Sequence, residues 1–112
     1  MKILSLPVLI LGVLLFATFP AHAADLPTFK LVMKSGQLIP ATIEVPAATK
    51  FRLEITNAGT DAAEFESLEL RKESVLAPGV TRTLVFAPMK PGRYPFFDDF
   101  HPDTAKGFIV AQ

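Results

Sequence analysis

Two short acidic clusters hold the residues of this 112-residue chain that are best equipped for chemistry. Glu64, Glu66 and Glu69 lie within six residues, and Asp98, Asp99 and His101 within four. Carboxylates joined by one imidazole make a hard, oxygen-rich ligand set. Such a set suits Fe(II), Fe(III) or Mn(II), can hold Cu(II) through N/O donors, and suits Cu(I) poorly. Like charges this close repel unless a cation neutralises them, which is the physical ground for expecting a metal. A plainer reading stands beside it. Acidic residues on one face of an edge strand are commonly a solvated surface, and Asp98-Asp99 are ordinary turn residues. Arg71, Lys72 or Arg93 would then pair with them as exposed ion pairs of little energetic consequence. His101 reads either as a ligand or as a loop histidine capping a backbone group beside Pro102.

The chain has no cysteine. It also lacks a Ser-His-Asp set, a Gly-rich phosphate loop and a second histidine near His101 for a relay. Hydrolase and transferase chemistry are therefore not expected. Met89, between Pro88 and Lys90, offers a soft thioether, although core or surface filling is its commoner use. Tyr94 and Phe96 read as core packing. Phe97 and Phe100 could instead form an exposed patch for a partner.

The elements that must position these groups are strands. Phe51, Leu53 and Ile55 alternate with Arg52, Glu54 and Thr56, the period of a half-buried strand. Thr28 to Met33, Ala41 to Val45, Thr81 to Phe86, Tyr94 to Phe97 and Phe108 to Val110 read the same way. Turn signals separate them at Lys34-Ser35-Gly36, Pro46-Ala47-Ala48, Asn57-Ala58-Gly59, Pro78-Gly79 and Pro91-Gly92. Glu64 to Ser74 is less regular and reads as a strand that breaks into a loop and resumes near Val75. Within it, alternation puts Glu64 and Glu66 on one face and Phe65 on the other, which leaves the pair open as ligands or as solvated carboxylates. No sustained 3.6-residue apolar period occurs after the first residues, so no long helix is expected. The fold class expected is all-β, a sandwich of about seven strands.

The first residues read as an address. Lys2 supplies a positive start, Ile3 to Phe19 is almost wholly apolar, and Ala21-His22-Ala23 is a small-residue cleavage site. The apolar run is short for a spanning helix of about 20 residues, so a retained membrane anchor is the lesser reading. Cleavage of a signal peptide, residues 1–23, leaves one domain of 89 residues, 24–112, exported to the periplasm or beyond with no stable membrane insertion. That domain carries ten basic and eleven acidic residues, a balance that argues against nucleic acid as a partner. With no disulfide available, its core must hold by packing.

Two stretches carry a family resemblance. Asn57 to Leu70 places a strand ending in Asn before a turn and a Phe-containing strand. Gly92 to Val110 runs from an aromatic strand through an acidic loop and His101 to an apolar strand. This layout resembles the cupredoxins, small copper proteins with a Greek-key β-sandwich, in which the two stretches meet at one end. The resemblance lays the first histidine ligand on Ala63, the cysteine on Asp98, the second histidine on His101 and the methionine near Thr104. Three of the four ligands of a type-1 copper site are thus missing, and an electron carrier of that kind needs the thiolate.

Within that superfamily, several segments resemble cupredoxin-like domains of the EfeO type, found with Ftr-type iron permeases. They are Glu64-Phe65-Glu66-Ser67, Glu69-Leu70, Pro78-Gly79, Pro88 to Gly92 with Tyr94, and Phe96-Phe97 with Phe100-His101. The resemblance implies a periplasmic protein that handles iron, with copper as an alternative ion or an aid to iron oxidation. It implies as partners an inner-membrane iron permease and another periplasmic metal-binding protein. The ligands expected on this reading are Glu64, Glu66, Glu69, Asp98, Asp99 and His101. Two rivals are a copper-dependent component that oxidises ferrous iron and an interaction module that kept the fold without the metal.

Overall fold

The computed structural model describes residues 2–5, 7, 9–16 and 25–112. The expected cleavage site, Ala21-His22-Ala23, lies outside them. Among the described residues no helix is long and apolar enough to cross a membrane.

Among the described residues nine strands form two sheets. They are β1 (Thr28–Lys34), β2 (Gln37–Ile39), β3 (Thr42–Val45), β4 (Phe51–Asn57), β5 (Ala63–Ser67), β6 (Lys72–Leu76), β7 (Thr81–Phe86), β8 (Gly92–Asp98) and β9 (Lys106–Ala111). One sheet has the order β2-β1-β4-β7 and the other β3-β9-β8-β5-β6. β1 runs parallel to β4 and β3 parallel to β9, while the other pairings are antiparallel. The expected sandwich is therefore present, with two strands more than the seven expected. One is β2, three residues folded back on β1 through Ser35-Gly36, both at positive φ. It is too short to show a period. The other comes from Glu64 to Ser74, which is a hairpin: β5 and β6 joined by a tight turn with Arg71 in the left-handed region.

Alternation decides which side chains enter the interior. In β4, Phe51, Leu53, Ile55 and Asn57 are buried while Arg52, Glu54 and Thr56 are half-exposed. In β5, Ala63, Phe65 and Ser67 are buried and Glu64 and Glu66 face outward. Between the sheets lies an aromatic stack: Phe51 on Phe86 at 4.9 Å and Phe65 on Phe96 at 5.1 Å, with Phe65 edge-on to Phe86 at 6.3 Å. Each fully buried phenylalanine contributes about 1.5–3 kcal/mol over leaving it in water. Met89 belongs to this core, and Tyr94 packs against it while its hydroxyl donates to the Lys90 carbonyl. Gly107 lets β9 pass the Ala41 carbonyl and the Phe96 ring, whose Cζ lies 2.7 Å from where a Cβ would stand. The core fixes β5 against β8 with Phe65 opposite Asp98 and Glu66 opposite Phe97.

Candidate metal centre

β8 brings Phe96 inward, Phe97 outward and then Asp98 inward again, so its last residue is a carboxylate on the interior face. A buried charge is costly unless its oxygens are satisfied, and here they are. Asp98 Oδ1 accepts from the backbone amides of Glu64 and Phe100, each at 3.0 Å, and Oδ2 lies 3.0 Å from His101 Nδ1. The loop behind Asp98 is closed by its own backbone. The His101 amide donates to the Asp98 carbonyl, and the Ala105 amide to the His101 carbonyl. Asp98 thus clasps β5 to the closing loop.

The His101 ring is held on both sides. Nε2 lies 3.1 Å from Asp61 Oδ2, a carboxylate about half exposed. Asp61 is delivered by Asn57, the buried last residue of β4. Its side-chain amide donates to the carbonyls of Asp61 and Leu76, and its Oδ1 accepts from the Gly59 amide, shaping the 58–61 turn. Gly36 closes the cradle: a Cβ there would sit 3.2 Å from His101 Cδ2 and 3.0 Å from Thr104 Oγ1. The hydrogen bond that His101 Nδ1 donates to the Asp98 carboxylate raises the His101 pKa above the ordinary imidazole value. Partial burial opposes this, and the charges of Asp98 and Asp61 add to it. Asp61 was not expected from the sequence. Its signal was available in the Asn57 turn, since a side chain that caps its own turn aims the residues closing it.

A second group forms outside the sandwich. The Asp99 amide donates to the Glu64 carbonyl at 3.0 Å, bringing Asp99 beside β5. Glu64, Glu66 and Asp99 then offer carboxylate oxygens that all lie within 4.8 Å of one another. Partial burial raises the pKa of both glutamates, and the neighbouring carboxylates add to it: Asp99, Glu73 and Asp98 around Glu64, and Asp99, Glu64 and Glu73 around Glu66. Glu73 stands directly across from Glu66 on β6, a like-charge pair that destabilises the hairpin. Among the described residues no lysine or arginine makes an ion pair with this face. Arg93 lies over the Phe108 ring and Lys72 over Phe86.

The six expected ligands are therefore distributed over three places. Glu64, Glu66 and Asp99 share the outer face of the five-stranded sheet. Asp98 and His101 sit together at the end of the sandwich. Glu69 lies in the β5–β6 turn, at the other end of β5, beside a cleft lined by Arg71, Lys72, Pro88 and Met89.

A cupredoxin-like family model matches residues 7–111. The chain belongs to the cupredoxin-like domain family. An uncharacterized protein of Rickettsia prowazekii is 43% identical over 83 residues, which span 74% of this chain and 66% of that protein. Among solved structures, a reduced auracyanin from Roseiflexus castenholzii superposes with a TM-score of 0.66 at 14% identity, covering 79% of this chain and 98% of its own. The metal-binding domain of the Streptococcus pneumoniae Cu(I)-exporting P-type ATPase CopA, solved with Cu(I), gives 0.67 at 15% identity, covering 76% and 84%. A purple cupredoxin from Nitrosopumilus maritimus gives 0.56 at 19% identity, covering 74% and 98%. At these identities the structures establish the shared fold.

The residues of this cupredoxin-like chain do not fit a type-1 copper ion. No thiolate is available, and Asp98, on which the resemblance lays the cysteine, has both oxygens committed to the fold. Ala63, where the first histidine would stand, is buried at the start of β5, and the Thr104 hydroxyl donates to the Gly36 carbonyl.

Proposed function

We propose that this cupredoxin-like protein binds a hard or borderline metal ion, iron before copper(II), as cargo for an iron-uptake system. Its partners on this reading are an inner-membrane iron permease and a second exported metal-binding protein, and its place is the periplasm. The observation that carries the metal reading is the meeting of Glu64, Glu66 and Asp99, three oxygen donors within 4.8 Å of one another with no basic partner among the described residues. Partial burial raises the pKa of both glutamates and the repulsion among the carboxylates adds to it, and an ion would relieve that repulsion. Carboxylates in this number favour Fe(II), Fe(III) or Mn(II) and accept Cu(II). The assignment to iron uptake rests on the EfeO-type resemblance.

A second locus is favoured by a specific geometry. The buried Asp98 carboxylate faces His101 Nδ1, as carboxylates commonly orient metal-binding imidazoles. Nε2 is thereby turned to the exposed Asp61, which makes a two-donor N/O pair. Calorimetric titration of the chain with Fe(II), Fe(III), Mn(II) and Cu(II) separates the two. Binding lost in E64Q/E66Q/D99N and kept in H101A supports the outer face. The converse places the ion at His101 and Asp61. Absence of binding at micromolar concentrations for every ion overturns the metal reading and leaves the interaction module. Oxygen consumption in the presence of Fe(II) would favour the ferrous-oxidising role.

A further inference from the structure

The outer face of the five-stranded sheet carries a second feature beside the acidic group. Pro95, Phe97, Pro102, Lys106 and Phe108 line an open depression of about 340 Å³ across β8 and β9, walled almost entirely by apolar atoms. Its size is at the lower end of the roughly 300–1,000 Å³ typical of ligand pockets. Phe97 and Phe108 are half-buried, Pro95 and Pro102 exposed. Phe97 also belongs to a row that crosses four strands: Glu73 on β6, Glu66 on β5, Phe97 on β8 and Lys106 on β9 are successive cross-strand partners. The row is therefore acidic at one end, apolar in the middle and basic at the other. Exposed apolar surface rimmed by charged residues marks an interaction site, and the sign of the charge at each end selects the partner and its direction.

We propose that this face docks an extended basic segment of a partner protein, seated with one large apolar side chain in the Phe97–Phe108 depression and its lysines or arginines on Glu66 and Glu73. The proposal goes beyond metal binding and does not depend on it.

The geometry sets the pattern of the segment. Neighbouring strands lie about 4.8 Å apart, so Glu66 and Glu73 stand roughly 5 and 10 Å from Phe97 along the row. Same-face residues of an extended peptide recur every 6.6 Å or so. An apolar residue at position i therefore presents i+2 and i+4 to the two glutamates, with long cationic side chains absorbing the mismatch. Lys106 fixes the direction, because a cation beyond the apolar residue on that side would meet a like charge. Glu64 and Asp99, beside the row, extend the acidic end, with carboxylate oxygens within 4.8 Å of that of Glu66.

The test is an amide NMR titration of the ¹⁵N-labelled full chain at low salt with a chelator present. The probe is an acetylated, amidated peptide of sequence Gly-Phe-Thr-Lys-Thr-Lys-Gly. The expected result is shifts centred on Glu66, Phe97, Lys106 and Phe108, with affinity falling about tenfold or more in E66K/E73K and falling again with added salt. A peptide with glutamate in place of both lysines should leave the spectrum unchanged, a control that needs no altered protein. No shifts at peptide concentrations on the order of millimolar, equal binding of the glutamate peptide, or shifts confined to the His101 loop would overturn the proposal. Because the chelator removes metal, failure here leaves the ion-binding reading untouched.

Discussion

Asp98 and Asp99 are neighbours of identical type with opposite fates. Asp98 ends β8 on the inward side of the alternation, is 2% exposed, and spends both oxygens on two backbone amides and an imidazole. Asp99 falls on the outward side and meets two glutamates instead. One carboxylate holds the fold together and the other opposes it. The difference teaches where function can reside in this chain. A group whose hydrogen-bonding capacity is filled by the fold is structural, whereas a group left with repulsion has binding energy available for a cation, whether an ion or a basic side chain.

The largest effect that could break this comparison is on stability. Asp98→Ala removes the acceptor of two amides and the partner of His101. At about 1–3 kcal/mol for each buried donor left unpaired, the loss should reach about 3 kcal/mol. Asp99→Ala should stay within about 0.5 kcal/mol of the parent, as exposed substitutions do. Urea unfolding of the two variants checks both numbers. A loss below about 1 kcal/mol for Asp98→Ala would mean that the clasp contributes little and that Asp98 is free to serve as a ligand.

The same contrast shows what was legible in the sequence. The strands were, because Phe51, Leu53 and Ile55, or Glu64 and Glu66 about Phe65, carry the period in their types. The grouping of the six candidate ligands was only partly so. Glu69 follows Glu66 closely in the chain, and the irregular spacing from Glu64 to Ser74 signals a break, but residue type does not say that the turn at Leu68 to Arg71 carries Glu69 to the opposite end of the strand from Asp98. Asp61 was missed for the reverse reason. It lies 40 positions from His101 in the chain, and only the Asn57 side chain, bonded to the Asp61 and Leu76 carbonyls, swings it to the imidazole. Long-range pairing of this kind is set by tertiary hydrogen bonds and leaves no local period.

The second effect concerns pH and sharpens the structural half of the comparison. The groups facing the His101 ring are Asp98 and Asp61, both acidic. The folded pKa is raised above the unfolded value of about 6.5. Folding therefore favours the protonated ring. This contribution is fully present below about pH 6.5 and is lost as pH rises through the folded pKa. Stability should fall across that window, where ordinary carboxylates no longer titrate, and His101→Gln should flatten the profile. Denaturant midpoints measured between about pH 5.5 and 8.5 read it directly. A parent profile as flat as that of the variant would show that the imidazole gains nothing from its two carboxylates.

The smallest effect tests the other half. Glu66 has its pKa raised by partial burial and by Asp99, Glu64 and Glu73, so its neutral form is the one the fold prefers. The penalty is absent below the ordinary value of 4.5 and present once pH exceeds the raised folded value. Glu66→Gln removes the charge at constant shape. It should therefore raise the melting temperature slightly at pH 7 and leave it unchanged near pH 4. The same substitution should weaken ion binding at Glu64, Glu66 and Asp99. A change that steadies the fold while weakening the site is the expected signature of a residue kept for binding. If Glu66→Gln lowers the melting temperature at pH 7, the outer carboxylates are not in repulsion, and Asp98 and Asp99 differ less than their surroundings suggest.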